Sequence, residues 1–75
     1  MTETGRERFE LVEPLSPTEE LVASYLAKRL RNKEIARELG VDVRTAEWHV
    51  ANVKLKLGAA DRHDAGEIWQ RLKTQ

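Results

Sequence analysis

Seven residues near the middle of the chain could together contact a nucleic acid. They are Arg44, Thr45, Glu47, Trp48, Ala51, Asn52 and Lys54. Guanidinium and ammonium groups neutralise phosphates, hydroxyl and amide groups form hydrogen bonds with base edges, and apolar groups contact the thymine methyl. A carboxylate accepts a hydrogen bond from cytosine N4. Spread over a few helical turns, these residues predict a surface suited to double-stranded DNA.

The spacing of these residues places them on the outer side of one helix, predicted over 43–57. At about 100° per residue, an apolar stripe forms along the opposite side. It consists of Ala46, Val50, Val53 and Leu57. The sector facing away from this stripe holds Arg44, Trp48, Ala51 and Leu55. Asp42 is expected to cap the start of this helix and Gly58 to end it.

Three further helices are predicted around this one. Ser16, Pro17 and Glu19 have the pattern of a capping box with proline in the first turn, which predicts a helix over 17–29. A second helix over 32–39 is expected to be capped by Asn32 and ended by Gly40. Its early residue Lys33 is a candidate phosphate contact. A short helix, a glycine-stopped turn and a second capped helix are the layout of a helix-turn-helix unit.

The fourth helix, predicted over 61–72, carries an apolar stripe that could cover the core or a second copy of the chain. The stripe consists of Ala65, Ile68, Trp69 and Leu72. Asp61 and Asp64 lie at its start, where acidic residues favour a helix terminus. No segment shows the alternation typical of a strand, so the expected fold class is all-α with four helices.

Composition narrows the possible functions. Seventy-five residues, 40% hydrophobic and 35% charged, form a single globular domain with a limited core. Because there is no cysteine, thiolate zinc sites and disulfides are excluded, and a reducing cytoplasm is the expected location. The sequence shows no nucleophile–base pair, no glycine-rich phosphate loop and no apolar run long enough for a membrane span. We therefore expect no enzyme activity, cofactor or metal, and no association with a membrane.

Charge is distributed unevenly although the formal net charge is zero. Residues 1–14 hold four acids against two arginines, net −2, and are interpreted as an acidic N-terminal arm before a domain over 15–75. Residues 43–58 hold three basic residues against Glu47, net +2, whereas 15–42 and 59–75 balance at five against five and three against three. This assigns the basic character to the predicted third helix.

The run from Leu15 to Leu72 resembles the LuxR-type (GerE, or NarL/FixJ) DNA-binding domain, a four-helix module that sometimes stands alone. The resemblance rests on LSPTE at the entry, on NKEIA and LG in the second helix, and on Thr45, His49, Asn52, Lys56, Leu57 and Gly58 in the third. Arg62 after Asp61 also fits. The resemblance implies that the third helix enters the major groove and that the fourth is the face of a homodimer. It also implies a core-edge packing and hydrogen-bonding role for His49.

The chain departs from the family at four positions. Glu47 stands where the family usually has a basic residue, and Trp48 where it has a smaller apolar one. Ala51 replaces a residue that is often polar or basic, and Arg29 replaces a small residue, commonly glycine, before the second helix. Three of these departures lie on the predicted recognition surface.

Two functions remain open at this point. The first is a small transcription regulator that binds DNA, as a homodimer, through the third helix. The second is a helix-turn-helix fold used to bind a protein, with the surface of Glu47, Trp48, Ala51 and Leu55 docking on a regulator or on the transcription machinery.

Overall fold

The computed structural model describes residues 14–74 and consists of four helices. They are α1 (Pro17–Ala27), α2 (Asn32–Leu39), α3 (Val43–Leu57) and α4 (Arg62–Lys73). Because residues 14–74 contain no strand, the predicted all-α class is confirmed. The predicted acidic arm lies outside the described residues except for Pro14.

The capping box at the start of α1 forms as the sequence predicts. The backbone N–H of Glu19 donates to Ser16 Oγ at 3.2 Å, and the Ser16 N–H donates back to Glu19 Oε1 at 2.9 Å. The predicted end at residue 29 is wrong by two residues. Arg29 has a φ of 66°, a left-handed conformation that a right-handed helix cannot continue through. The Leu30 N–H then donates to Tyr25 O at 3.0 Å, which closes a Schellman motif.

The start of α2 differs from the prediction. Asn32 is the first residue of the helix rather than its cap, and the cap position is Arg31. The backbone N–H of Arg31 donates to Glu34 Oε1 at 2.7 Å. The N–H at the cap position is therefore bonded by a carboxylate from the first turn of the helix. This leaves the Asn32 side chain available for a contact elsewhere in the fold.

The two later helices have aspartate caps. Asp42 Oδ1 accepts from the Thr45 N–H at 2.7 Å, and Asp61 Oδ1 accepts from the Asp64 N–H at 2.8 Å. Asp61 is therefore the cap of α4, which begins and ends one residue later than predicted. Gly58, with a φ of 65°, ends α3.

The core lies where all four helices meet. Its buried members are Val22, Ala23, Leu26, Ile35, Ala36, Ala46, Val50, Val53 and Ala65. Leu57, which belongs to the apolar stripe predicted for the third helix, and Leu39 are only half-buried and pack against this core. Both are the last residues of their helices, at the rim of a small domain, where there is little structure left to cover them.

A close approach between α1 and α4 fixes the position of the fourth helix. At Gly66 an added Cβ would lie 2.8 Å from Ala27 N and 2.9 Å from both Ala27 Cα and Leu26 C. Only a residue without a side chain allows the two backbones to come this near. The glycine therefore sets how α4 is held against the rest of the domain.

Candidate nucleic-acid interface

The helix α3 is presented to solvent by the turn that precedes it. Gly40, with a φ of 72°, ends α2 in the left-handed conformation, and Asp42 starts α3 two residues later. The Val41 N–H donates to Ala36 O at 3.0 Å, which fixes the path of the turn. Because Ala46, Val50 and Val53 are buried in the core, the opposite side of α3 must face outward.

The exposed side of α3 contains most of the residues predicted to contact DNA. Arg44, Glu47, Trp48 and Ala51 are exposed, and Thr45, Asn52 and Lys54 are half-buried. Lys33, also exposed, is the second residue of α2. We call the exposed and half-buried residues of α3 named here, together with Leu55, the α3 face.

Two large apolar side chains on the α3 face are open to solvent. Trp48 is 62% exposed and Leu55 is 78% exposed. The ring of Trp48 makes an edge contact with the imidazole of His49, with centroids 5.2 Å apart and an angle of 65° between the planes. This contact lies beside the core, and most of the indole remains available to a partner molecule.

The charge available on the α3 face is smaller than the sequence suggests. Lys56 Nζ forms an ion pair with Glu19 Oε1 at 2.8 Å, which joins the end of α3 to the start of α1. Hydrogen bonds from Lys56 and from the Ser16 N–H lower the pKa of Glu19, and they outweigh the opposing effect of burial. Arg44 and Lys54 are therefore the cations of α3 that form no ion pair within residues 14–74, against the single acid Glu47.

This ion pair was missed by sequence reasoning. Glu19 fits a capping box and Lys56 matches the family pattern, but the two residues are 37 positions apart. No local spacing links them, so only the packing of α1 on α3 brings them together.

His49 lies at the edge of the core, half-buried, as the resemblance implies. Its Nδ1 is shielded from solvent and has no hydrogen-bond partner within residues 14–74. The packing part of the expected role is therefore present, whereas residues 14–74 provide no hydrogen bond to this nitrogen.

The predicted dimer face on α4 is smaller than expected. Ala65 is fully buried in the protomer's own core, so it is not available to a second copy of the chain. Trp69 is half-buried and its Nε1 donates to Glu20 Oε1 at 3.0 Å, while Lys73 Nζ lies 5.6 Å from the ring centroid. Ile68 is half-buried and Leu72 is 47% exposed. Three of the four residues predicted for the dimer face therefore have side-chain surface exposed to solvent.

The described helices were compared with the requirements of a membrane span and of a metal-binding cluster. None of those in residues 14–74 is long and apolar enough to span a bilayer. The same residues contain no group of three or more histidine, aspartate or glutamate side chains placed to hold a metal ion.

A turn that joins a short helix to a longer one with an exposed polar side defines the class: a helix-turn-helix domain. The chain belongs to the luxR family of bacterial regulatory proteins, whose family model matches residues 13–68. The family is described as one of bacterial regulatory proteins, and the relatives below are named as transcriptional regulators.

Two relatives illustrate the family. The chain is 44% identical over 48 residues to a protein of Mycobacterium bovis that is provisionally named an HTH-type transcriptional regulator. It is 44% identical over 46 residues to the transcriptional regulatory protein MctR of Rhizobium johnstonii. The matched segments are 64% and 61% of this chain, but only 5% and 22% of the two relatives. The chain therefore spans only a small part of the length of the curated relatives that it matches.

Proposed function

We propose that this protein binds double-stranded DNA in the bacterial cytoplasm and regulates transcription, with α3 in the major groove. The observation that carries the proposal is the α3 face, which a helix-turn-helix holds away from the core and which keeps polar, cationic and apolar groups exposed. A major groove about 12 Å wide admits one helix with its side chains. Membership of the luxR family supports the same conclusion.

Each residue of the α3 face has a chemical part in this proposal. Arg44 and Lys54, with Lys33 on α2, neutralise phosphates and fix the position of the domain on the duplex. Thr45 and Asn52 supply hydroxyl and amide groups for hydrogen bonds. Trp48 and Ala51 supply apolar contacts for the thymine methyl, whereas the carboxylate of Glu47 faces the phosphates and weakens the binding.

Two copies of the chain are proposed to act together through α4. Ile68, Trp69 and Leu72 form the contact, with Leu72 the most exposed of the three. A symmetric dimer would present two α3 faces to two half-sites, which doubles the number of phosphates neutralised.

The experiment compares two arginine variants in fluorescence anisotropy with a labelled duplex selected from random DNA. Arg44→Ala removes a cation from the α3 face, and Arg71→Ala removes an exposed cation from α4 as a matched control. We expect Arg44→Ala to lower the slope of log affinity against log salt by about 0.9 for each protomer. An unchanged slope in Arg44→Ala would contradict the placement of α3 on DNA.

A second function is favoured by one observation, the exposure of Trp48 and Leu55. Aromatic residues on a patch with little net charge are typical of protein interfaces, so the surface of Glu47, Trp48, Ala51 and Leu55 could dock on a regulator or on the transcription machinery. A partner captured at a stoichiometric ratio by the wild type and lost with Trp48→Ala, together with weak DNA binding erased by salt, would favour this alternative.

A further inference from the structure

The densest run of positive charge in the sequence lies outside the α3 face. Residues 28–33 read KRLRNK, which places four cations and no acid within six positions. The net charge of residues 15–42 is zero, because the acids on either side of this run balance its cations. The run is therefore not visible in the net charge of that segment. The run begins at the residue after α1, forms the turn that follows and includes the first two residues of α2.

The fold adds two more nitrogen-bearing side chains to this run. A surface groove of about 380 Å³ is lined by Arg29, Leu30, Arg31, Arg62 and His63. The last two come from the start of α4, some thirty positions along the chain from the first three. We call this the arginine groove.

Arg62 is held in place within the arginine groove by neutral acceptors. Its Nη1 donates to Asn32 Oδ1 at 2.8 Å, and its Nη2 donates to Leu30 O at 2.7 Å. Neither acceptor carries a charge, so the guanidinium keeps its full positive charge. An arginine has five N–H donors, so further donors remain for a ligand while the side chain is already oriented.

The backbone of Arg29 adopts a conformation that is unfavourable for an arginine, with a φ of 66°. Three helices of this domain are each followed by a residue in the left-handed conformation. That residue is Arg29 after α1, Gly40 after α2 and Gly58 after α3. Glycine adopts this conformation without steric cost, whereas an arginine does not. Strain of this kind concentrates at functional sites, and here it places a guanidinium on the wall of the groove.

The cations of the arginine groove are not neutralised within the part of the chain that the structure describes. No carboxylate of residues 14–74 forms an ion pair with Arg29, Arg31 or Arg62. The acids close to it in sequence, Glu34, Asp61 and Asp64, accept hydrogen bonds from backbone N–H groups. Glu67 lines an adjoining groove with Arg29 and His63. Three guanidinium groups around one depression are well suited to the oxygens of a phosphate, to which arginine donates two hydrogen bonds at once.

We propose that the arginine groove is a phosphate-binding site, separate from the α3 face. The phosphate belongs either to the DNA backbone beside the half-site or to a phosphorylated small molecule. Only the first source rests on the proposed DNA binding. The second would make the groove a place where a ligand acts on the domain.

The first test is a titration of the protein with inorganic phosphate, followed by NMR of the arginine side-chain Nε–H groups and the backbone amides. Potassium chloride at equal ionic strength is the reference. We expect saturable shifts at Arg29, Arg62 and His63 with a dissociation constant of roughly 1–10 mM, which is weak because a single small anion is bound. Shifts that are absent, or spread equally over all arginines, would overturn the proposal.

The second test uses a double variant, Arg29→Asn with Arg31→Gln. Asparagine tolerates the left-handed conformation, and Arg31 is exposed, so the fold is expected to survive. The control is Arg37→Gln with Arg71→Gln, which removes the same charge from exposed positions outside the groove. The double variant should lose the phosphate shifts, whereas the control should keep them. Equal loss in both would overturn the proposal.

DNA binding by the same variants identifies the source of the phosphate. If the groove holds the DNA backbone, the double variant should bind a duplex about tenfold more weakly than the control at 0.1 M salt, with a slope lower by about one unit per protomer. If DNA affinity is unchanged while the phosphate shifts are lost, the source is a phosphorylated small molecule. If the wild type binds no DNA, the proposed function fails. The phosphate titration still tests whether the arginine groove binds phosphate.

Discussion

Replacing Gly66 with alanine should destabilise the domain although alanine is the better helix former. The added Cβ would lie 2.8–2.9 Å from three backbone atoms of Leu26 and Ala27. Favourable contacts between such atoms require about 3.5–4.0 Å, so the overlap approaches 1 Å at each contact. Because the neighbours are backbone atoms rather than the tip of a flexible side chain, α4 must move away from α1.

The size of the effect follows from two opposing terms. Overpacking of this kind costs up to about 3 kcal/mol, and the gain in helix propensity from glycine to alanine returns about 1 kcal/mol. The net loss is therefore up to about 2 kcal/mol. For a domain of this size, such a loss lowers the melting temperature by about 10 °C.

Circular dichroism during urea and thermal unfolding measures this loss directly. Glu67→Ala, at the next and exposed position of α4, is the matched control and should change the stability by less than about 0.5 kcal/mol. If Gly66→Ala unfolds at the same temperature as the wild type, or at a higher one, the close approach of α1 and α4 does not hold.

The other stability and assembly predictions concern three positions. Arg29→Gly should raise the free energy of unfolding by about 1 kcal/mol, measured by urea unfolding, because it relieves the left-handed strain; a loss of stability would contradict this. Glu19→Gln should cost about 1 kcal/mol at pH 7 through loss of the charge paired with Lys56. Since the pKa of Glu19 is lowered on folding, this contribution is present above about pH 4.5 and lost as the pH falls through the folded-state pKa, so urea unfolding of the variant and the wild type should converge in acid. A constant difference at all pH values would refute the ionic origin. Ile68→Glu should convert a concentration-dependent dimer to a monomer in light scattering, and a wild type that is monomeric at ~100 μM would contradict a dimer through α4.

Local signals in the sequence predicted the helices well. The helix ends at Ser16, Asp42 and Gly58 are set by contacts with backbone groups no more than four positions away. These helix ends can therefore be predicted without knowing the fold. The start of α2 shows the limit of such reasoning, because both Asn32 and the Arg31–Glu34 pair could satisfy the first turn. In the structure the Arg31–Glu34 pair satisfies the turn, and the Asn32 side chain accepts a hydrogen bond from Arg62 of another helix.

Contacts between distant residues could not be predicted from one sequence. The pair of Glu19 and Lys56 and the arginine groove both join segments thirty or more positions apart. Ala65 illustrates the same limit, since an apolar stripe does not reveal whether a residue faces the core or a second copy. Gly66 did leave a signal, because a glycine inside a helical pattern suggests a close approach, but not to which element.

The placement of α3 in the major groove is tested most directly by reversing the charge of Glu47. This carboxylate is exposed on the α3 face and, in the proposed complex, faces a polyanion. Glu38→Lys, at an exposed position of α2 outside the proposed contact, is the matched control. The assay is fluorescence anisotropy with a labelled duplex at two salt concentrations.

We expect Glu47→Lys to bind DNA more tightly than both the wild type and the control, with a salt slope steeper by about one unit per protomer. A Glu47→Lys variant that binds DNA no better than the control, at either salt concentration, would contradict the claim that this helix lies in the major groove.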